Sequence, residues 1–352
     1  MSDAPLPSEA YAAALAGLPR MSTTRLAALL RDRDPRAAWH MAGRESSVSV
    51  AEVWAAHQAA GVSVHVLGSP SYPAALAHDH EAPAVLFAHG DLAAVDHPRV
   101  AIVGTRRCTH YGRDVARQLG RQLAEAGVTV VSGLALGVDG AAHQGALDVD
   151  GAPPVAVVGC GLDVVYPRAH ARLQRQVASR GVVLSEWPLG THPEPWRFPA
   201  RNRILATLAD VVVVVESHIA GGSRHTVDAA NDRGRRILAV PGPVTSPASA
   251  GTNQLLLEGC GPVTAVDDIL VAIGLDVSVA PTLDFRRRPE GDEAVVLAAV
   301  TWTPTNLDQI IARTGLRPGR VAVALAHLEE SGWVLASGGW WERRAPTRSR
   351  GA

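Results

Sequence analysis

The chain has 352 residues, of which 47% are hydrophobic, and its formal net charge is −1. This composition excludes a disordered chain, since disorder goes with few apolar residues and a high net charge. The length exceeds what one hydrophobic core usually serves, so we expect two or three domains. Because the whole chain is nearly neutral, any affinity for nucleic acid must come from a local basic patch.

Composition also limits the cellular location and the reactions that we expect of the protein. No apolar run approaches the roughly 20 residues of a membrane span, and the N-terminus lacks a signal-peptide pattern. Cys108, Cys160 and Cys260 are odd in number and far apart, which is untypical of a disulfide scaffold or a zinc site. We therefore expect a cytoplasmic protein with no membrane partner. All 33 basic residues are arginine, which excludes Schiff-base chemistry and a P-loop lysine.

Residues 1–65 predict a small domain of short helices. Ser22 is positioned to cap one helix, and another helix stops at Gly61. The stretch 65–91 is rich in proline and partly extended, and we interpret it as a lead-in to a sheet.

Residues 66–275 predict an α/β domain. Six valine-rich runs lack the alternation of half-exposed strands, which is typical of a parallel sheet buried on both faces. Amphipathic stretches of helical length separate these runs, and the alternation indicates a doubly wound, mostly parallel sheet. The predicted strands are 100–103, 128–132, 155–158, 182–185, 211–216 and 237–240. The predicted helices are 111–126, 139–148, 168–180, 200–209 and 224–233.

The C-terminal part predicts a separate domain. Residues 276–290 are polar, irregular and contain three consecutive arginines, so we expect a linker. Residues 291–352 run helix, helix, turn, helix and then two short apolar strands, an order typical of a winged helix. The helix at 317–331 would be its recognition helix, but the middle of that helix is apolar, which favours packing or a protein contact over groove reading.

The loops that follow the predicted strands carry the candidate binding residues. Ligands of doubly wound sheets bind beyond the C-terminal strand ends, and five successive loops there contain glycine, arginine or both. Helix N-termini favour anions, and arginine forms paired hydrogen bonds with phosphate. Several such subsites fit a polyanion better than one nucleotide. The candidates are Gly104, Thr105, Arg106, Arg107, Ser132, Gly133, Gly137, Arg168, Arg201, Arg203, Gly222, Ser223 and Arg224.

Other polar residues in these loops have simpler interpretations. Trp196 and Phe198 stand beside arginines and offer surfaces on which bases could stack. We interpret Asp139 as a helix cap. Glu186 and Glu216 follow strands, but no histidine or cysteine nucleophile stands at a recognisable spacing from either.

The chain closely resembles the DNA processing protein A (DprA/Smf) family. Nine stretches within residues 66–270 occur in the family's order, among them VAIVGTRRCTHYG, VVSGLALGVDGAAHQGAL, RFPARNRILATLAD and AVPGPVTSPASAGTNQLLLEG. The resemblance implies an extended Rossmann-like domain. It also implies a C-terminal winged-helix domain and a small N-terminal helical domain related to sterile alpha motif folds.

The resemblance implies a function without catalysis, metal or cofactor. The family binds single-stranded DNA in a basic pocket, dimerises through the Rossmann-like domain, and helps to load RecA recombinase during natural transformation. The resemblance makes Arg106 the first pocket contact, where we expect it to bind a DNA phosphate in place of a cofactor's pyrophosphate. The family commonly has a basic residue at the position of Arg168. The resemblance also assigns Phe198, Arg201, Asn202 and Arg203 to the wall of the pocket. Where the family commonly has Ser-Gly-Ser/Ala-Leu-x-Thr-Ala, this chain has GGSRHTVDAA, a variant to which Arg224 adds positive charge.

Two other functions stay open on the sequence. One is a nucleotide phosphoribohydrolase of the lysine-decarboxylase-like family, which has a similar domain and a Gly-Gly-x-Gly-Thr-x-x-Glu motif. Here GGSRHTVD lacks the third glycine and the glutamate, and with them the phosphate cradle and the expected general acid or base. The other is a winged-helix transcription regulator whose α/β domain senses a nucleotide.

Overall fold

The computed structural model of the chain describes residues 6–44, 46–275 and 286–344. Contacts group the chain into two compact units, residues 1–277 and 278–352. None of the described helices is long and apolar enough to cross a membrane.

One mixed sheet organises the first unit. Its strands are β1 (Val62–Val66), β2 (Val85–Gly90), β3 (Arg99–Val103), β4 (Thr129–Ser132), β5 (Val155–Val158), β6 (Val182–Ser185), β7 (Val211–Val214), β8 (Arg236–Ala239) and β9 (Gly261–Pro262). The order across the sheet is β1-β2-β6-β5-β4-β3-β7-β8-β9. All pairings from β6 to β9 are parallel, whereas β2 pairs antiparallel with both β1 and β6.

All six predicted strands are present, with bounds within two residues of those expected. Strands β4 to β7 are buried along their whole length, which explains why they are rich in valine and lack the alternation of half-exposed strands. The sequence did not predict β9, nor β1 and β2, which lie in the stretch interpreted as a lead-in. The predicted Rossmann-like, mostly parallel sheet is confirmed.

Helices surround this sheet. They are α1 (Ser8–Ala16), α2 (Thr23–Leu30), α3 (Pro35–Ala42), α4 (Val50–Ala59), α5 (Ala74–Ala77), α6 (His110–Glu125), α7 (Val138–Leu147), α8 (Ala171–Arg180), α9 (Arg197–Leu208), α10 (Arg224–Asn231), α11 (Ala250–Leu257) and α12 (Val266–Ala272). All five helices predicted between the strands are present. Ser22 caps α2 as expected, because its hydroxyl accepts the Arg25 N–H at 3.1 Å.

The hydrophobic core has a layer on each face of the sheet. On one face, Phe87 of β2 and Val158 of β5 pack with Trp39 and other residues of the N-terminal helices. On the opposite face, Val103 of β3 packs with Leu205 of α9. The N-terminal helices thus share a core with the sheet, and the boundary expected after residue 65 falls inside β1.

The second unit has the predicted winged-helix order. Its elements are α13 (Asp292–Ala299), β10 (Thr305–Asn306), α14 (Leu307–Thr314), α15 (Pro318–Glu330), β11 (Val334–Ser337) and β12 (Trp340–Arg343), with the strands ordered β10-β12-β11. The apolar side of α15 is buried in the core of this unit, as its sequence indicated.

The predicted linker, residues 276–290, lies mostly outside the described residues. Its described end belongs to the second unit. The Arg286 guanidinium lies 3.8 Å from the centroid of the Trp333 ring, and its Nη1 donates to the Gly332 carbonyl at 2.7 Å. The arginine run therefore begins with a packing residue of the winged helix.

Candidate nucleic-acid interface

The loops after the parallel strands meet at one edge of the sheet. The strand order reverses at β3, because β4 to β6 follow on one side of it and β7 to β9 on the other. In doubly wound sheets this reversal opens a crevice between two loops, and ligands bind there. Here the crevice lies between the loops that follow β3 and β7.

A carboxylate of the chain itself fills this crevice. Glu216, just after β7, is only 1% exposed. Its Oε2 accepts the Thr109 N–H at 2.8 Å, and its Oε1 accepts the Thr109 hydroxyl at 2.6 Å. Thr109 is the N-cap of α6, the helix end that would hold a cofactor phosphate. Gly112 makes room, because a Cβ there would lie 2.3 Å from Glu216 Oε2.

The Glu216 carboxylate thus lies beside the N-terminus of α6, and the expectation that Arg106 binds a DNA phosphate there stays a prediction. The chain already supplies an anion at the N-terminus of α6, and Thr105 N donates to the backbone carbonyl of the same Glu216 at 2.7 Å. Glu216 is a structural residue of the crevice and not a free acid or base.

Replacing Glu216 by alanine is expected to lower the free energy of unfolding by about 1.5–3 kcal/mol, because the Thr109 N–H and hydroxyl both lose the buried carboxylate that accepts their hydrogen bonds. Glu216→Gln keeps a neutral acceptor and should lose less. Urea unfolding measures both variants. The matched control is Asp150→Ala, since the Asp150 carboxylate is exposed and its pair with Arg180 spans 3.5 Å. An equal urea midpoint for Glu216→Ala and the wild type would contradict this role.

The loop after β3 rests on the loop after β4. Gly137 has a φ of +82°, and a Cβ on it would lie 2.4 Å from the Thr105 carbonyl oxygen. Gly104 packs in the same way against Val138. These close approaches fix the backbone of the loop, and the side chains of Arg106 and Arg107 remain exposed.

Arg106 contacts one of a pair of aromatic rings, Phe198, which in turn packs against Tyr166. Its guanidinium carbon lies 4.9 Å from the centroid of the Phe198 ring. Phe198, on the first turn of α9, lies 5.2 Å from the Tyr166 ring, with the planes at 33°. Among the described residues, no carboxylate pairs with Arg106. An exposed, unneutralised cation beside aromatic faces suits a ligand with both a phosphate and a base.

Arg201 lies beneath this surface and is only 3% exposed. Its Nη2 donates to the Gly133 carbonyl at 2.9 Å and lies 3.8 Å from Asp139 Oδ2. Burial raises the pKa of the Asp139 carboxyl, and the Arg201 guanidinium opposes that rise. A Cβ on Gly133 would lie 1.8 Å from the guanidinium nitrogens. The resemblance assigns Arg201 to the pocket wall, but in the structure its guanidinium is buried and contacts Gly133 and Asp139 inside the protein.

Two other predicted contacts, Arg203 and Ser132, also have partners inside the protein. Arg203 Nη2 donates to buried Glu186 at 2.6 Å. Asn202 is half-buried. Ser132 is fully buried, and its hydroxyl donates to the Ile102 carbonyl at 2.6 Å.

The remaining candidates fall on the two sides of the crevice. Arg168 is exposed at the start of the turn before α8. On the β7 side, Gly222 is exposed, whereas Ser223 is buried. Arg224 lies 3.5 Å from the carboxylates of Asp228 and Glu258, so its extra charge is largely compensated.

The structure adds Tyr166, which the sequence did not single out as a site residue. The only sequence signal was its position in the loop after β5, directly before Pro167. Its contact with Phe198 depends on the neighbouring loop, so the pairing could not be read from spacing.

Fold and site together define the class, a Rossmann-like α/β protein with a self-filled cofactor crevice, a cationic and aromatic surface beside it, and an appended winged helix. The chain belongs to the DprA/Smf family. Residues 63–274 match the family model described as DNA recombination-mediator protein A, and residues 286–339 match the DprA winged helix domain.

Individual proteins agree with this membership. Protein Smf of Escherichia coli is 37% identical over 283 residues, which is 78% of this chain and 75% of that protein. The X-ray structure of DprA from Streptococcus pneumoniae superposes with a TM-score of 0.64 at 31% identity, covering 77% of this chain and 98% of that one. DprA of Helicobacter pylori, whose structure was studied for its single-stranded DNA binding mode, gives a TM-score of 0.55 at 30% identity, covering 60% of this chain and 95% of that one.

Proposed function

We propose that this protein binds single-stranded DNA at the surface formed by Arg106, Phe198 and Tyr166, and passes the strand to RecA recombinase in recombination or transformation. The observation that carries the proposal is the exposed Arg106 guanidinium, stacked on Phe198. Membership of the DprA/Smf family supports it. We also expect a cytoplasmic homodimer that forms through the Rossmann-like domain.

The chemistry of this surface fits a single strand better than a duplex. A guanidinium binds phosphate with paired hydrogen bonds, and an exposed ring stacks on any base that is not already paired. Arg107 and Arg168 are the other exposed arginines among the predicted contacts after β3 and β5. If all three arginines meet phosphates, log K should fall with log salt with a slope of about −2, at about 0.7 per contact.

Particular contacts weigh against the two alternatives. A phosphoribohydrolase needs a phosphate cradle, but Glu216 fills the α6 helix end, and Arg224 is held by carboxylates at the start of α10. A groove-reading winged helix needs free cations on its recognition helix. In α15, however, Arg320 pairs with Asp292 at 2.5 Å.

Fluorescence anisotropy with single- and double-stranded oligomers of equal length, across a salt series, tests the proposal. We expect a strong preference for the single strand and a slope of about −2. Tighter binding of one duplex sequence would favour a transcription regulator. Release of adenine from AMP by the purified protein would favour the phosphoribohydrolase.

A further inference from the structure

Trp196 has a large apolar side chain and is not part of the surface formed by Arg106, Phe198 and Tyr166. It stands immediately before α9, two residues from Phe198, and is 54% exposed. Tryptophan is highly buried on average, and this exposed ring stands two residues from Phe198 of the proposed binding surface.

The ring of Trp196 is held in place by its neighbours. Its indole N–H donates to the Glu194 carboxylate at 2.5 Å. The buried ring of Trp187 meets it nearly edge-on, with centroids 6.4 Å apart and planes at 77°. The Arg197 guanidinium lies 5.0 Å from its centroid and also pairs with Glu194 at 3.1 Å. These contacts hold the ring in place while the residue stays 54% exposed, so binding a base would order little that is free.

The loop after β6, which carries Trp196, is hydrogen-bonded to the neighbouring loop after β5. The Gly161 N–H donates to the Thr191 carbonyl at 2.9 Å, and the Gly190 N–H donates to the Asp163 carboxylate at 2.9 Å. These bonds join the loop after β6 to the loop after β5, which also carries Tyr166. Trp196 thus lies in a loop that is hydrogen-bonded to the loop of Tyr166, one of the residues of the proposed binding surface.

We propose that Trp196 is a second base-stacking subsite, which takes a nucleobase of the same strand beyond the base that Phe198 contacts. The inference rests on the proposed function. The indole N–H is already used by Glu194, so only the ring surface is offered to a ligand. The subsite therefore takes any base, because stacking on an aromatic face is tolerant of sequence.

The test compares two ligands of equal length, oligo-dT and a fully abasic oligomer with the same phosphates. Trp196→Ala is expected to weaken oligo-dT binding roughly tenfold, within the range for loss of one stacked base, and to leave abasic binding unchanged. Trp196→Phe keeps an aromatic ring and the contact with Trp187, and should lose less. Trp302→Ala is the matched control, because Trp302 is 64% exposed but lies in the second unit.

Each outcome decides a different question. Equal oligo-dT affinity for Trp196→Ala and the wild type overturns the subsite and leaves the proposed function standing. An equal loss on both oligomers shows that Trp196 supports the surface without stacking, which also overturns the subsite. Failure of the wild type to bind oligo-dT overturns the proposed function, and the subsite with it.

Discussion

Arg106→Ala is expected to weaken the binding of oligo-dT about 100-fold, the largest loss from any single side chain of this surface. The substitution removes the guanidinium and with it charge-assisted hydrogen bonds to phosphate, worth about 1.5–3 kcal/mol. It also removes the cation that lies 4.9 Å from the centroid of the Phe198 ring. The slope of log K against log salt should become shallower by about 0.7.

Two further variants separate the causes of this loss. Arg106→Lys keeps the charge but loses the planar fork, so it should bind with intermediate affinity and an unchanged salt slope. Arg236→Ala is the matched control, because Arg236 is an exposed arginine at the start of β8, on the opposite edge of the sheet. Anisotropy measures all three variants, and wild-type affinity in Arg106→Ala would refute the assignment of the site.

The central strands were predictable because a strand that is buried on both faces has a recognisable sequence of its own. Strands β4 to β7 are rich in valine and contain no exposed position, so each could be recognised from its own residues. Strand β1 has a weaker pattern because Ser63 is exposed within it, whereas β2 begins with four buried apolar residues but lies in a proline-rich stretch. Both strands enter the sheet by antiparallel pairing, and the partner of β2 is β6, about 95 residues further along the chain.

The sequence predicted which loops carry the candidate site, but not which of their side chains face solvent and which are buried. The sequence placed Arg106 and Arg201 in the same kind of loop with the same expected role. What separates them is distant in sequence: Arg201 fills the space above Gly133 and lies near Asp139, 62 residues before it. Glu216 likewise meets Thr109 from another strand end. An arginine that binds a ligand and one that pairs internally look alike until the loops are assembled.

Arg201→Met is expected to lower the free energy of unfolding by about 3–5 kcal/mol, because it leaves Asp139 buried without its cation. Asp139 is 6% exposed and lies 3.8 Å from Arg201, so water cannot replace the lost partner. Urea unfolding measures the change. The matched control is Arg117→Met, whose exposed pair with Asp148 should be worth at most about 1 kcal/mol.

The pH dependence of this loss has a definite sign. Burial raises the pKa of Asp139, and removal of Arg201 lets it rise further. A carboxyl whose pKa is raised in the folded state binds its proton more tightly when the protein is folded. Its protonated form therefore stabilises the fold fully at a pH below the unfolded-state pKa, and this stabilisation is lost as the pH rises through the folded-state pKa. The gap in stability between Arg201→Met and the wild type should therefore narrow on acidification. A gap that widens on acidification would contradict the buried pair.

A double variant distinguishes an internal role of Arg201 from a DNA contact. Arg201→Met combined with Asp139→Leu removes both charges, and replacing a buried pair by apolar groups is often close to neutral. Only part of the lost stability should return, because the Gly133 carbonyl lacks its Arg201 donor and the buried Gly133 N–H lacks its Asp139 acceptor. The repaired protein should then bind oligo-dT within a few-fold of the wild type, because Arg106 faces the strand and Arg201 lies below it. Recovery of stability without recovery of binding would instead make Arg201 a direct contact, one that moves to reach the strand.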